Sequence, residues 1–165
     1  MLDTLSSPMV YRLERSALIP RPRAEVFAFF SDAHNLERIT PDFLRFRILT
    51  PDPIVMQPGT LIEYQMKLYG VPVRWRTMIE EFHPGRWFVD IQTSGPYRSW
   101  RHRHEFIEVP GGTRMYDRVD YEMPYGFLGT VVRKLFVRRA LERIFDYRSA
   151  AIAEYFRKGD ESWLA

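Results

Sequence analysis

The sequence predicts an α+β fold in which one strongly curved, seven-stranded antiparallel sheet wraps around a long C-terminal helix. Two short helices are expected after the first strand. Two observations support this prediction. Apolar and polar residues alternate in short runs between turns rich in proline and glycine, which is the pattern of half-buried strands. The last segment instead repeats apolar residues every three or four positions, as an amphipathic helix does.

The composition is that of a single globular domain spanning residues 1–165, with 45% hydrophobic and 27% charged residues. Aromatic residues reach 15%, which suits a protein with both a core and an apolar-lined cavity. The absence of cysteine excludes disulfides, a thiolate nucleophile and a cysteine-based zinc site. No leader peptide or apolar stretch of membrane-spanning length is found, so we expect a cytoplasmic protein without a transmembrane segment.

The first elements are a strand and two short helices. Residues 10–19 alternate loosely as a half-exposed strand. Pro22 then suits the first position of a helix, because its missing N–H would lack an intrahelical partner there. That helix carries one apolar face, formed by Val26, Phe29 and Phe30. The sequence DAHN ends it, and a short turn or helix at residues 36–40 stops before Pro41.

Six further strands follow, joined by tight turns rich in proline and glycine. The alternation places them at residues 43–49, 61–68, 73–82, 87–93, 97–108 and 113–123. Because short turns connect neighbouring antiparallel strands, the six form a meander.

The C-terminal segment predicts one helix over residues 127–156. Its apolar stripe is Val137, Leu141, Ile144, Ala151 and Tyr155, extended towards the N-terminus by Leu128, Val132 and Leu135. A helix of about 30 residues is about 45 Å long, so it must lie across the whole sheet. A flat sheet would leave much of its apolar face in water. The sheet must therefore curl around the helix, and the curl creates a pocket.

Basic residues crowd the same helix. They are Arg133, Lys134, Arg138, Arg139, Arg143 and Arg148. A solvated helix face is the favoured interpretation, and docking to acidic partners or weak contact with an anionic membrane surface is the alternative. The net charge of +3 is mild, and no nucleic-acid partner is expected.

Two histidines are the most informative candidates for chemistry. In a strand, Trp100, His102, His104 and Phe106 share one face, and their apolar neighbours indicate that this face points inward. The turn at Pro110-Gly111 places His104 opposite Asp117 and His102 opposite Val119. Asp117 is then a lone carboxylate on an apolar stripe and a suitable partner for a buried imidazole.

The preceding strand leaves two alternatives open. An even-length turn at residues 83–86 directs Phe88, Asp90 and Gln92 towards the histidines, and an odd-length turn directs Trp87, Val89 and Ile91 there instead. Other candidates for the pocket wall are Tyr64, Met66, Trp75, Trp100, Tyr121 and Met123, for which ordinary core packing is the alternative.

Three interpretations of the histidines compete. They form a structural His–Asp pair, or a polar floor in which His102, His104, Asp90 or Gln92 orients a ligand, or a catalytic or metal site. The flanking aromatic residues argue against a metal, so we expect none, and no cofactor motif is found. The favoured partner is a hydrophobic small molecule. The oligomeric state does not follow from these patterns.

Several segments resemble the SRPBCC superfamily, the helix-grip group that includes START lipid-transfer domains and polyketide cyclase/dehydratase-like proteins. They are IPRPRAEVFAFFSDAHNLERITP, WRHRHEF, GGTRMYDRVDYEMPYG and VRRALERIFDYRSAAI. The resemblance implies a helix-grip fold, inward-facing Phe88, Asp90 and Gln92, and a cavity mouth near Tyr125 and Phe127. It also implies a carrier of a lipid, polyketide or isoprenoid, or a cyclase/dehydratase-type enzyme in which His104 and Asp117 would be catalytic.

Overall fold

A single antiparallel sheet, with strands in the order β1-β7-β6-β5-β4-β3-β2, forms the frame of the protein. The computed structural model describes residues 9–125, 129 and 131–158. Within those residues the strands are β1 Val10–Ile19, β2 Arg47–Ile48, β3 Leu61–Leu68, β4 Val71–His83, β5 Trp87–Ser94, β6 Ser99–Val109 and β7 Gly112–Glu122. Every pair of neighbouring strands is antiparallel, which confirms the predicted meander with β1 added beside β7.

The helices surround the inner face of this sheet. Helix α1 is Arg23–Phe30, α2 is Asn35–Arg38, and the C-terminal helix α3 is Arg138–Lys158, preceded by a π-helical turn at Arg133–Val137. Strand β4 is the longest strand, and its pairing with β5 shifts register at two points, Arg76/Thr77 and Ile79/Glu81. Such irregularities bend a strand, so β4 contributes to the predicted curvature. The α+β helix-grip architecture is thus confirmed.

The strand predicted at residues 43–49 is largely wrong. Asp42–Leu44 forms a 3-10 turn that buries Leu44, and only Arg47–Ile48 pairs with β3. Arg45 adopts a left-handed conformation with φ 47°, which reverses the chain between the two. The predicted first helical residue is also one position early, because Pro22 is the N-cap and the helix begins at Arg23.

The C-terminal helix lies across the sheet as predicted, but its buried stripe differs from the predicted one. The buried positions are Leu141, Phe145, Arg148, Ile152 and Phe156, whereas Tyr155 is 40% exposed. A helix repeats every 3.6 residues, so a stripe read from spacings of three and four is easily displaced by one position. Residues 126–128 lie outside the described residues, as does the predicted start of the helix at Phe127.

Three groups of buried apolar residues hold the layers together. The first joins α1 to β6, β7 and the end of α3, through residues such as Phe27, Phe30, Phe106 and Phe156. The second lies on β3 and β4: Ile62, Tyr64, Trp75 and Ile79. The third places Val119 and Tyr121 of β7 against Leu141 and Phe145 of α3. Of the described helices, none is long and apolar enough to cross a bilayer.

Candidate functional site

A cavity of about 180 Å³ lies where these three groups meet. Its wall is mainly apolar and combines α1, strands β3 and β4, and helix α3, with Phe30, Ile62, Trp75, Ile79 and Leu141 among the lining residues. The volume slightly exceeds the roughly 150 Å³ of a protein cavity that binds benzene. The hollow space predicted beneath the helix is therefore present, and it is large enough for a small ring system.

One part of the cavity wall is polar and is formed by neighbouring strands. We call Asp90, His102, His104 and Asp117 the His–Asp cluster. On β6, His102 and His104 share a face; Asp90 lies opposite His102 on β5, and Asp117 lies opposite His104 on β7. The sequence-predicted pairing of His104 with Asp117 and of His102 with Val119 is confirmed. Asp90, His102 and His104 line the cavity, with Asp117 behind the two rings.

The four side chains alternate in contact, carboxylate next to imidazole. Asp117 Oδ1 lies 3.1 Å from His102 Nε2 and 2.8 Å from His104 Nδ1. Asp90 Oδ2 lies 3.2 Å from His104 Nε2 and 3.9 Å from His102 Nδ1. All four residues are largely buried, so these contacts act in a low-dielectric environment where charge interactions are strong. Each carboxylate thus faces both imidazole rings.

Further groups fix the outer atoms of the two carboxylates. The single proton of Thr77 Oγ1 is shared between Asp90 Oδ1 at 3.0 Å and the Ile91 carbonyl oxygen at 2.9 Å. Arg148 Nε lies 3.8 Å from Asp117 Oδ2, and its guanidinium also stands over the rings of Phe30 and Phe145. The Phe88 ring stacks on His104 with 4.3 Å between centroids. The imidazole and carboxylate positions are therefore constrained from several sides.

The two imidazoles differ in proton affinity. Burial, together with the charge of His104, lowers the pKa of His102 to about 4, and the contacts with Asp117 and Asp90 offset only part of this effect. Burial also opposes the charge on His104, but the close contact with Asp117 and the hydrogen bond with Asp90 outweigh it and raise the pKa of His104 above its ordinary value. A proton held by the histidines therefore resides on His104.

Both carboxylates are stabilised in the charged form. Burial by itself favours protonation of Asp117, but Arg148 and both histidines outweigh it and bring the pKa of Asp117 well below its usual range. The pKa of Asp90 is lowered because His104, His102 and Thr77 likewise outweigh burial. When His104 carries a proton, two carboxylates balance one guanidinium and one imidazolium, and the buried group has no net charge in that state.

Some donors that border the cavity have no well-formed hydrogen bond. Among the described residues, the buried unpaired side-chain nitrogens are Trp75 Nε1, His104 Nδ1 and Arg148 Nε. The latter two lie near the Asp117 carboxylate, whereas Trp75 Nε1 has no acceptor. An unpaired buried donor costs about 1–3 kcal/mol, so an acceptor brought into the cavity would be stabilised.

Eight residues predicted for the site line the cavity: Tyr64, Met66, Trp75, Phe88, Asp90, Trp100, His102 and His104. Phe88 and Asp90 face inward, although the turn is the odd-length alternative, because His83 pairs with Trp87 around only three residues. The register shift between Ile79 and Glu81 changes the face of β4, so that Ile79 pairs with Asp90 and Phe82 pairs with Phe88. Burial raises the pKa of Tyr64 well above its usual value, so its phenol stays protonated. The roles of these residues in binding remain predictions.

Besides Asp117, which lies behind the histidine rings, four predicted residues lie outside the cavity wall. The Gln92 amide instead holds the turn between β5 and β6, donating to the Tyr97 carbonyl and accepting from the Tyr97 N–H. Tyr121 and Met123 share a face with Asp117 but pack under the beginning of α3. Tyr125 is 85% exposed. Phe127, expected at the cavity mouth, lies outside the described residues.

Sequence reasoning missed Arg148, Thr77 and Tyr97, all of which line the cavity. Arg148 was assigned to the solvated basic face, although its spacing of seven from Leu141 and four from Ile152 indicates the buried stripe. Thr77 shares one face of β4 with Trp75 and Ile79, so the alternation along this strand could have identified it as a cavity residue. Tyr97 was included in the strand predicted at residues 97–108, on the face opposite Trp100, but β6 begins at Ser99 and alternation does not apply to Tyr97.

The basic helix surface is also smaller than predicted. Besides the buried Arg148, Arg133 stands 3.7 Å over the Tyr11 ring and donates to Tyr121 Oη. Arg138 pairs with Glu142 at 3.0 Å. Lys134, Arg139 and Arg143 remain exposed on the helix.

Comparison with known families agrees with this architecture. Residues 19–146 match the family described as polyketide cyclase/dehydrase and lipid transport, well over half of the chain. The chain belongs to this family. The SRPBCC resemblance seen in the sequence is thereby confirmed. No curated protein matches the chain by sequence.

Solved structures show the same fold at low sequence identity. The Zhui aromatase/cyclase of Streptomyces sp. R1128 is 14% identical with a TM-score of 0.72, over 91% of this chain and 95% of that one. Protein TTHA0849 of Thermus thermophilus is 18% identical with a TM-score of 0.69, over 92% and 99%. Protein SA2116 of Staphylococcus aureus is 12% identical with a TM-score of 0.70, over 94% and 98%. At these identities the likeness concerns the fold alone.

Proposed function

We propose that the protein binds a small, mainly apolar molecule in its internal cavity and directs a hydrogen-bond acceptor of that molecule towards the polar wall. The observation that carries the proposal is an apolar cavity of about 180 Å³ bordered by buried, unpaired N–H groups. Pockets that bind small molecules have this character, an apolar lining with a few fixed polar groups. Lipids, polyketides and isoprenoids with a carbonyl oxygen are suitable classes.

The kind of polar group expected on the ligand follows from the wall. Trp75 Nε1 and the Arg148 guanidinium are donors, and neither can accept a hydrogen bond. A carbonyl oxygen would accept a hydrogen bond from either donor, whereas an ammonium group or a purely hydrocarbon ligand offers no acceptor and would leave Trp75 Nε1 unpaired. Each hydrogen bond formed in this way contributes about 1 kcal/mol, a several-fold gain in affinity.

The test uses a matched pair of ligands, 1,4-naphthoquinone and naphthalene, which have nearly the same shape but differ in their acceptors. Binding is followed by quenching of tryptophan fluorescence, since Trp75 and Trp100 line the cavity. The chain has no cysteine with which the quinone could react. We expect naphthoquinone to bind about tenfold more tightly than naphthalene.

A matched pair of variants locates the binding. Ala33→Phe fills the cavity from its wall, and Ala28→Phe introduces the same side chain on an exposed position of α1. Ala33→Phe is expected to weaken naphthoquinone binding by more than tenfold, and Ala28→Phe to leave it unchanged. Equal affinities in both variants, or no binding to the wild type, would contradict the proposal.

A second candidate function is acid–base catalysis of the cyclase or dehydratase type. It is favoured by the position of His104, which lines the cavity while contacting both Asp90 and Asp117. An imidazole held between carboxylates can exchange a proton with a bound ligand. Small molecules that co-purify with the protein would be extracted, identified by mass spectrometry and returned to wild type and His104→Gln. If the ligand loses water in the presence of the wild type but not of His104→Gln, the result supports catalysis. Recovery of the unchanged ligand from both proteins excludes it.

A further inference from the structure

Three side chains of the His–Asp cluster bring potential metal ligands together. Asp90, His102 and His104 each offer one ligand atom, and these atoms all lie within 4.8 Å of one another. Asp90 Oδ2 is 3.2 Å from His104 Nε2 and 3.9 Å from His102 Nδ1. Bonds of about 2.0–2.2 Å to a shared metal ion place two ligand atoms about 3–3.5 Å apart. Small rotations of the side chains would therefore bring the three atoms onto one ion.

The side chains around the three ligand residues contact atoms other than the three ligand atoms, which leaves the ligand atoms free for a metal ion. Asp117 Oδ1 contacts the other nitrogen of each ring, His102 Nε2 and His104 Nδ1. A carboxylate that receives the distal N–H of a histidine fixes the tautomer that presents a lone pair on the opposite nitrogen. Thr77 occupies Asp90 Oδ1, which leaves Oδ2 for the metal. One carboxylate thus hydrogen-bonds His102 and lies beside the distal nitrogen of His104, and one hydroxyl contacts the third ligand.

The surroundings also suit a metal that remains accessible to a small molecule. Asp90, His102 and His104 all line the cavity, so coordination positions not filled by the protein would open into it. The Phe88 and His104 rings are stacked, which limits rotation of that imidazole. Two carboxylates and one guanidinium give the buried site a net negative charge when both imidazoles are neutral, and this charge attracts a divalent cation.

We propose that Asp90, His102 and His104 bind a divalent first-row transition metal ion, with Asp117 orienting both histidines and the remaining coordination positions facing the cavity. A set of two histidines and one carboxylate favours ions such as Zn²⁺, Co²⁺ and Fe²⁺ over Ca²⁺ and Mg²⁺, which prefer oxygen ligands. This site differs from the metal-free cluster expected from the sequence. It goes beyond the proposed binding of an apolar molecule and does not depend on it.

The experiment titrates untagged, full-length protein, freed of metal with a chelator, with Co²⁺ and then Zn²⁺ near neutral pH. Visible absorption reports Co²⁺ coordination, and calorimetry reports Zn²⁺ stoichiometry. Variants Asp90→Asn and His104→Gln remove a ligand, and Asp117→Asn removes only the orienting carboxylate. His34→Gln is the matched control, because His34 forms an exposed pair with Asp52 at 2.7 Å that lies outside the cavity.

We expect wild type and His34→Gln to bind one equivalent of Zn²⁺ with equal affinity. Asp90→Asn and His104→Gln should weaken binding by at least 100-fold, and Asp117→Asn by about 10–100-fold with unchanged stoichiometry. Absence of stoichiometric Co²⁺ and Zn²⁺ binding by folded wild type overturns the proposal. Unchanged affinity in Asp90→Asn, or lost affinity in His34→Gln, also overturns it.

Near-UV circular dichroism checks that each variant is folded. If the buried substitutions disrupt folding, Thr77→Val provides a milder variant, because it keeps the side-chain shape while releasing Asp90 Oδ1. Weaker Zn²⁺ binding by folded Thr77→Val, by about tenfold, supports the site. Affinity equal to that of wild type in this variant contradicts the role given to Asp90.

Discussion

Arg148 and Arg139 belong to the same basic helix but lie in different environments. Arg148 is buried at 8% exposure beside Asp117, whereas Arg139 faces solvent. The long aliphatic stem of arginine packs on Phe30 and Phe145, and the guanidinium compensates a carboxylate that would otherwise be buried without a cation. A solvated basic face therefore describes only part of the helix.

This difference predicts the effect of removing each charge. Arg148→Met keeps the length of the side chain but leaves Asp117 without its cation, and we expect the free energy of unfolding to fall by about 3 kcal/mol. Arg139→Met removes an exposed charge and should change the free energy of unfolding by less than about 0.5 kcal/mol. Urea unfolding of the two variants provides the comparison. Equal stabilities would show that Arg148 does not compensate Asp117.

Helix α3 is held to the rest of the protein by a stripe that ends at Phe156. Phe156 is 3% exposed and contacts Phe29 of α1 with 5.3 Å between ring centroids. Its neighbour Tyr155 also touches Phe29, but 40% of Tyr155 is exposed. The end of the helix therefore depends on the buried ring more than on the exposed one.

Alanine substitutions at these adjacent positions test that assignment. Phe156→Ala is expected to lower the free energy of unfolding by about 3–5 kcal/mol, because it leaves a cavity in the group that joins α1 to α3. Tyr155→Ala should cost about 1 kcal/mol or less, since water replaces much of the lost contact. Thermal unfolding of the two variants distinguishes the positions. A larger effect of Tyr155→Ala would instead support the buried stripe that was predicted from the sequence.

Strands with strict alternation and tight turns could be predicted from the sequence, and other segments could not. Strand β3 is found at the predicted residues, and the Pro110-Gly111 turn fixed the register that joins His104 to Asp117. The segment around Arg45 was misassigned because a left-handed residue interrupts its apparent alternation. Local periodicity carries no signal for such a reversal.

At the scale of the whole molecule, the face of a residue on a strand such as β6 or β7 could be predicted, but its distance from the cavity could not. Tyr121 and Asp117 share a face of β7, yet Tyr121 packs behind Leu141 and Phe145 and does not itself line the cavity. The position of a side chain along a curved sheet depends on where the helix and α1 touch it. Those contacts join residues distant in sequence, so a one-dimensional pattern does not contain them.

The pairing of the first strand with the last has a consequence for biosynthesis. Val10 pairs with Glu122, and the ladder between β1 and β7 continues to Ile19 and Thr113. Until the second strand of that ladder has been made, the emerging chain presents β1 with unpaired backbone groups, a template for association with the wrong chain. Charged side chains interrupt the apolar residues of β1, at Arg12, Glu14 and Arg15. Charges at such positions disfavour association with a second chain, so we expect them to protect β1 until its partner strand has been made.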